Sequence, residues 1–190
     1  MTLCYAAATI PDAGAGGSPP LPGEWLRIRG AMSVGWTSDQ MAVILAGPDQ
    51  PGLTDRLRQV GAADDVRPLV PTARPTDDRP PEPDGVVALR WFELAAADWD
   101  EFLELSVGAW PAFEASFDAT ILGLFRVTDV TAPEATALLV TRYASLAVWE
   151  ESRAVLQART GSLANSGQRF LRRHEITRRS VVRIGRPVQA

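Results

Sequence analysis

Between Val70 and Gly85 the chain reads VPTARPTDDRPPEPDG, a segment with five prolines and several charges. Proline has no amide donor and a fixed φ, so this stretch suits neither a helix interior nor a central strand. It splits the 190 residues into two parts that must each find their own element order. The expected organisation is a first half over residues 1–70, a linker over 71–85 and a second half over 86–190.

In the first half, Thr2 to Ile10 is apolar and bounded by Pro11, which fits a short strand. Asp12 to Gly23 is rich in glycine and proline and reads as loop. Trp25 to Trp36 and Gln40 to Ala46 flank the turn residues Thr37, Ser38 and Asp39, which predicts a hairpin. Leu53, Leu57 and Val60 share one helical face, and Val66 to Val70 fits a closing strand. The order is β, loop, β, β, α, β.

The second half opens with the strand Val86 to Leu94. There Val87, Leu89 and Trp91 alternate with Ala88, Arg90 and Phe92, and the first set is expected to pack on helices. Asp98 and Glu101 resemble a capping pair before a helix that presents Trp99, Phe102, Leu103, Ser106, Ala109, Trp110 and Phe113 on one face. Pro111 should kink or restart that helix. Thr120 to Thr128 and Ala137 to Tyr143 fit two more strands. A helix after Ser145 buries Val148, Trp149, Ser152, Val155 and Leu156, and Gly161 can end it. A helix over Gly167 to Glu175 and a strand over Val181 to Ile184 complete a β-α-β-β-α-β unit, the ferredoxin-like order. The first half repeats that order without its first helix.

Composition narrows the function classes. With 46% hydrophobic and 22% charged residues, the chain has an ordinary soluble globular make-up. Its net charge of −4 gives no overall basic field for nucleic acid or anionic lipid. Arg169 to Arg186 holds seven arginines, but their spacing divides them between a helix and a strand, which fits a solvated face better than a nucleic-acid surface. A lone cysteine, Cys4, permits no internal disulfide and no cysteine-rich metal site. Neither a basic, apolar leader nor an apolar run long enough for a membrane span is present, so a cytoplasmic location is expected. Nucleophile-elbow, phosphate-loop, dinucleotide and zinc motifs are all missing; neither a cofactor nor a metal is expected.

Four segments carry a family resemblance. LLVTRYASLAVWEESR at Leu138 to Arg153 resembles the NIPSNAP family's strand that ends in tyrosine and leads into an arginine-bearing helix. ALRWFEL at Ala88 to Leu94 is similar to the family's opening strand, with Arg90 and Phe92 at its arginine and aromatic positions. ILGLF at Ile121 to Phe125 resembles the second strand, and FLRRHEITRRSVVRIGRPV at the end resembles the closing helix, strand and proline. The resemblance covers Val86 to Val188 and departs from the family at Trp91. It implies the dimeric α+β barrel superfamily, in which two ferredoxin-like units set their sheets face to face around a cavity. The expected fold is therefore α+β, with two ferredoxin-like halves packed as one such barrel within a single chain.

Candidate site residues follow. His174 is the sole histidine and the sole side chain whose unperturbed pKa lies near neutrality. It is either a general acid or base at the cavity wall or a packing residue beside Phe170. Arg90, Arg126 and Arg142 each lie on a strand of the second sheet, and Arg90 is expected to point into the barrel. Buried charge is costly when unpaired, so these arginines either bind an anionic or carbonyl-bearing ligand or pair with carboxylates across the sheets. Trp36 joins them as a ligand-binding candidate, and Tyr143 joins His174 as a catalytic one. The expected function is small-molecule binding, or metal-free conversion through an arginine-stabilised oxyanion, in the barrel cavity. The alternative is a non-catalytic assembly protein with a side-chain-filled barrel, and homo-oligomerisation is left open in either case.

Overall fold

Four apolar strands build the first half: Cys4–Pro11 (β1), Glu24–Arg29 (β2), Gln40–Gly47 (β3) and Arg67–Pro71 (β4), with the helix Gln50–Gln59 (α1) before β4. The second half contains Val86–Ala95 (β5), Trp99–Ser116 (α2), Ala119–Val127 (β6), Glu134–Tyr143 (β7), Leu146–Ala158 (α3), Ala164–Ile176 (α4) and Thr177–Pro187 (β8). The computed structural model describes residues 3–11, 19–29, 40–61, 66–82, 84–130, 132–158 and 164–188. Element order follows the sequence expectation, with no helix between β1 and β2 among the described residues.

All strand pairs are antiparallel, and the strands close into one barrel in the order β1-β3-β2-β8-β5-β7-β6-β4. Within each half the fourth strand lies beside the first, followed by the third and then the second. The shared order relates the halves as two versions of one unit. They meet at two short seams, Ile28↔Pro187 and Arg29↔Arg186 on one side and Leu69↔Val127 to Pro71↔Phe125 on the other. The two sheets thus continue into each other at their edges and close the single barrel expected of two ferredoxin-like halves.

Apolar residues occupy both sides of the sheet over β1, β3, β5 and β7, while β8 is largely exposed. Inside the barrel, Val87, Leu89, Phe125, Leu138 and Val140 of the second half meet Tyr5, Trp25, Ile28 and Ile44 of the first. Tyr5, Trp25 and Phe125 form an edge-to-face trio with centroids 4.9–5.7 Å apart, the arrangement that ring quadrupoles favour. Outside, α1 buries Leu53 and Leu57 against β1 and β3, while α2 and α4 cover the second sheet.

This placement reverses one expectation. Val87, Leu89 and Trp91 belong to the barrel interior, and it is Ala88, Arg90 and Phe92 that face the helices. Period-2 alternation separates two faces but cannot say which is inside when both are covered. Arg90 accordingly points away from the barrel interior.

Helix α2 buries Trp99, Phe102, Ser106, Ala109, Trp110 and Phe113, the stripe that its spacing predicts. It runs unbroken through Pro111. The proline is exposed, so the carbonyl it leaves without a donor lies on the side where water can reach. Asp98 makes no side-chain cap bond. It ends a short 3-10 turn instead, and Glu101 is drawn to Arg172 on α4, 2.6 Å away.

The proline-rich linker is docked on the barrel. Tyr5 donates its hydroxyl hydrogen bond to the Asp77 carbonyl at 2.6 Å, and Trp25 donates from its indole nitrogen to the Arg79 carbonyl at 3.0 Å. Arg74 pairs with Glu114 of α2 at 2.7 Å. Burial, with Asp78 and Asp77 nearby, pushes the Tyr5 hydroxyl above its ordinary pKa. Gly85 then turns the chain into β5 with φ +66, a left-handed conformation that glycine adopts without a side-chain clash. Among the described residues no helix is long and apolar enough to cross a membrane.

Candidate functional site

Four elements of the second half supply polar side chains to the space between sheet and helices. Strand β5 supplies Arg90 to the helix-facing side, since it alternates with the interior residues Leu89 and Trp91. Tyr143 comes from the end of β7, where it pairs with Val86 at the start of β5. Arg153 projects from α3 and Arg173 from α4. Together with Ala88, Trp110, Phe113, Ile121, Leu139, Thr141 and Phe170 they line a small cavity of about 30 Å3, which admits one or two water-sized groups.

The cavity's chemistry is lopsided. Its apolar side is aromatic: Phe113 lies edge-to-face with Tyr143 at 6.2 Å and with Phe170 at 6.3 Å. Its polar side consists almost wholly of donors. The Arg173 guanidinium carbon sits 5.2 Å from the Phe92 ring centre, 5.1 Å from Phe170 and 6.0 Å from Phe102. Each guanidinium has a serine hydroxyl as its polar partner: Ser180 for Arg90 at 3.4 Å, Ser152 for Arg153 at 3.3 Å and Ser106 for Arg173 at 3.4 Å. Burial, followed by the charge of Arg153, pushes Arg90 down to about 10. Burial, followed by Arg90 and then Arg153, pushes Arg173 down to about 9. Both therefore remain cationic at neutral pH. Tyr143 is buried and lies close enough to favour the charged form of both.

A more open groove lies next along β5. Gly85, Val86, Ala144, Ser145, Leu146, Ile184, Gly185 and Arg186 enclose about 300 Å3 there. Val86, Ala88 and Arg90 are successive residues of one strand face, so the groove and the cavity share a wall. Ser145 accepts a hydrogen bond from the Val148 amide at 3.3 Å and so covers one free donor of the α3 terminus.

The other candidates from the sequence fall elsewhere. Arg142 donates to Asp84 from Nε at 3.0 Å and from Nη2, and to Asp118 from Nη1 at 2.6 Å, which ties the linker and the α2–β6 turn to β7. Arg126 lies over the Trp99 ring, 4.7 Å from its centre, on the helix side of β6 but outside the cavity lining. His174 is exposed, and the inward position on α4 is taken by Arg173. Trp36 lies outside the described residues. Arg153 and Arg173 were not singled out from the sequence. Their signal was helical spacing, since Arg173 stands three residues from both Phe170 and the buried Ile176. Among the described residues, no three or more histidine, cysteine or acidic side chains gather in a way that could hold a metal ion.

Comparisons with known proteins bear on the fold. No family model matches the chain, and no curated protein matches it. Solved structures do. An anthrone oxidase-like protein superposes with a TM-score of 0.60 at 10% identity, covering 98% of this chain and 91% of the other. A ferredoxin-fold protein from Listeria monocytogenes, related to antibiotic biosynthesis monooxygenases, gives 0.52 at 8% identity over 98% and 95%. The fold is that of the dimeric α+β barrel proteins. A NIPSNAP family protein from Agrobacterium tumefaciens is 24% identical over 55% of this chain and 86% of its own, with a TM-score of 0.41.

Proposed function

We propose that the protein binds, and in the enzymatic form of this reading converts, a small organic molecule at the sheet–helix cleft of its second half. The carrying observation is the cavity itself, where a wall of aromatic rings faces Tyr143 and three guanidinium groups. A ligand would lay its apolar body along the 300 Å3 groove and its polar end in the cavity. The groove has the size of an ordinary ligand pocket. In a catalytic cycle the arginines would stabilise an oxyanion as it forms, and the Tyr143 hydroxyl would give or take the proton at that oxygen. The oxidase-like and monooxygenase-related names of the structural neighbours favour small-molecule chemistry on this fold by analogy alone. The NIPSNAP resemblance of Val86 to Val188 is part of the same proposal.

A nuclear magnetic resonance titration with one-ring phenols, aryl ketones and aryl carboxylic acids tests the location. Shifts are expected at Arg90, Tyr143, Arg153 and Arg173, and Arg90→Ala should remove binding while leaving the fold nearly intact. Shifts confined to the barrel seams, or no response to any probe, would overturn the proposal.

The second reading is a non-catalytic assembly protein. It draws on the Tyr5, Trp25 and Phe125 trio, which fills the barrel interior where a ligand cavity was first expected. Sedimentation analysis that shows a stable oligomer with no ligand response at the cleft would favour it.

A further inference from the structure

We infer that the ligand of this cleft carries a full negative charge on a carboxylate, held among Arg90, Arg153 and Arg173, and is not a neutral carbonyl compound. This rests on the proposed cleft and specifies its chemistry.

The distribution of carboxylates is the first support. The chain has 23 acidic residues for its 19 arginines, and it pairs arginines freely elsewhere. Arg142 meets Asp118 at 2.6 Å, Arg172 meets Glu101 at 2.6 Å, Arg74 meets Glu114 at 2.7 Å and Arg179 meets Glu93 at 3.0 Å. At the cleft three arginines from three elements meet with no carboxylate bonded to any of them among the described residues. A serine hydroxyl at 3.3–3.4 Å accepts one N–H each from Arg90 and Arg173 and two from Arg153, and supplies no charge. Gathering like charges under a helix layer is unfavourable without a counter-charge, and a neutral carbonyl would not provide one.

The donor geometry agrees. The Arg173 guanidinium carbon lies over the Phe92 and Phe170 rings; such cation–π contacts bring no counter-charge and use none of the five N–H donors of its planar fork as a hydrogen bond to a carboxylate. A carboxylate matches that fork with two parallel hydrogen bonds. Trp110, which lines the same cavity and is 5% exposed, has an indole N–H with no acceptor. A buried donor left this way costs stability, and an acceptor entering the cavity within its reach would relieve that cost. The cavity's 30 Å3 suits a head group of a few atoms, with the remainder of the ligand in the neighbouring groove.

Phenylacetate and phenylacetamide separate charge from shape, because they differ at the head group alone. Thermal melts and calorimetric titrations should show phenylacetate raising the midpoint by roughly 2–4 °C. Phenylacetamide, and sodium chloride at matched ionic strength, should do nothing comparable. Arg90→Met should melt at or above the wild type in ligand-free buffer, because one like charge is gone, and should bind phenylacetate at least tenfold more weakly. Arg153→Met, on a different element, should give the same pair of changes, which guards against one variant that fails to fold. If acid and amide bind equally, the cleft stands but the charge inference falls. An equal response to sodium chloride, or tighter binding of phenyl phosphate than of phenylacetate, would also overturn the carboxylate assignment. If neither acid nor amide binds, the cleft proposal falls with it. Variants that melt below the wild type with affinity unchanged would make the arginines structural.

Discussion

Arg173 and His174 are neighbours on one helix with opposite fates. A step of one residue turns the helix by about 100°, enough to carry a side chain from the sheet to the solvent. His174 is exposed, so His174→Gln should change stability by no more than about 0.5 kcal/mol and should leave the phenylacetate response intact. A melt that moves further, or a lost response, would restore His174 to the site. The sequence showed that an apolar face existed on α4 through Phe170, but not its phase, because Arg169, Arg172 and Arg173 fall on the same arc of that helix as Ile176. Tyr143 was legible because it ends an apolar strand before a helix. The three-arginine cluster was not, since it depends on how α3 and α4 are rotated over β5. Core residues were easier. Phe102 is wholly buried on the predicted stripe, and Phe102→Ala should cost about 3–5 kcal/mol, measured by chemical denaturation.

At the scale of elements the linker is the least expected part. Its prolines correctly excluded helix and central strand, yet composition alone said nothing about where such a segment would lie. What fixes it are donors from the barrel interior, Tyr5 and Trp25, which find backbone carbonyls there. Tyr5→Phe should therefore cost about 0.5–1.5 kcal/mol and speed amide exchange over residues 77–79. Unchanged exchange would mean that the linker docks without that bond. Asp84 gives a second handle. The hydrogen bond from Arg142 holds its carboxyl below the ordinary 3.8, with slight desolvation of this exposed group working the other way. A depressed folded value means that the contribution is complete above 3.8 and is lost as the pH falls through the folded value. The melting difference between wild type and Asp84→Asn should thus be present at neutral pH and close on acidification below 3.8. A difference that persisted in acid would assign it to packing.

Across the whole molecule, the two halves were legible as repeated element orders because hydrophobic periodicity survives where sequence likeness does not. Edge-to-edge closure was not legible, since both seams involve only two or three residue pairs with no sequence signature. The assignment of inside and outside also stayed hidden, because apolar residues line both faces of β5. Among the described residues no helix joins β1 to β2, and that has one further consequence. A barrel made from two identical chains obeys twofold symmetry, so any pocket under its helices must occur twice. Here the halves share a chain but differ in sequence, and among the described residues the first has no counterpart of α2 to roof a second copy of the cleft. The expected stoichiometry is then one ligand per barrel. Calorimetric titration should give one binding event per chain and a Hill coefficient of about one. A second equivalent site would show that the first half kept more of the ancestral unit than its strands.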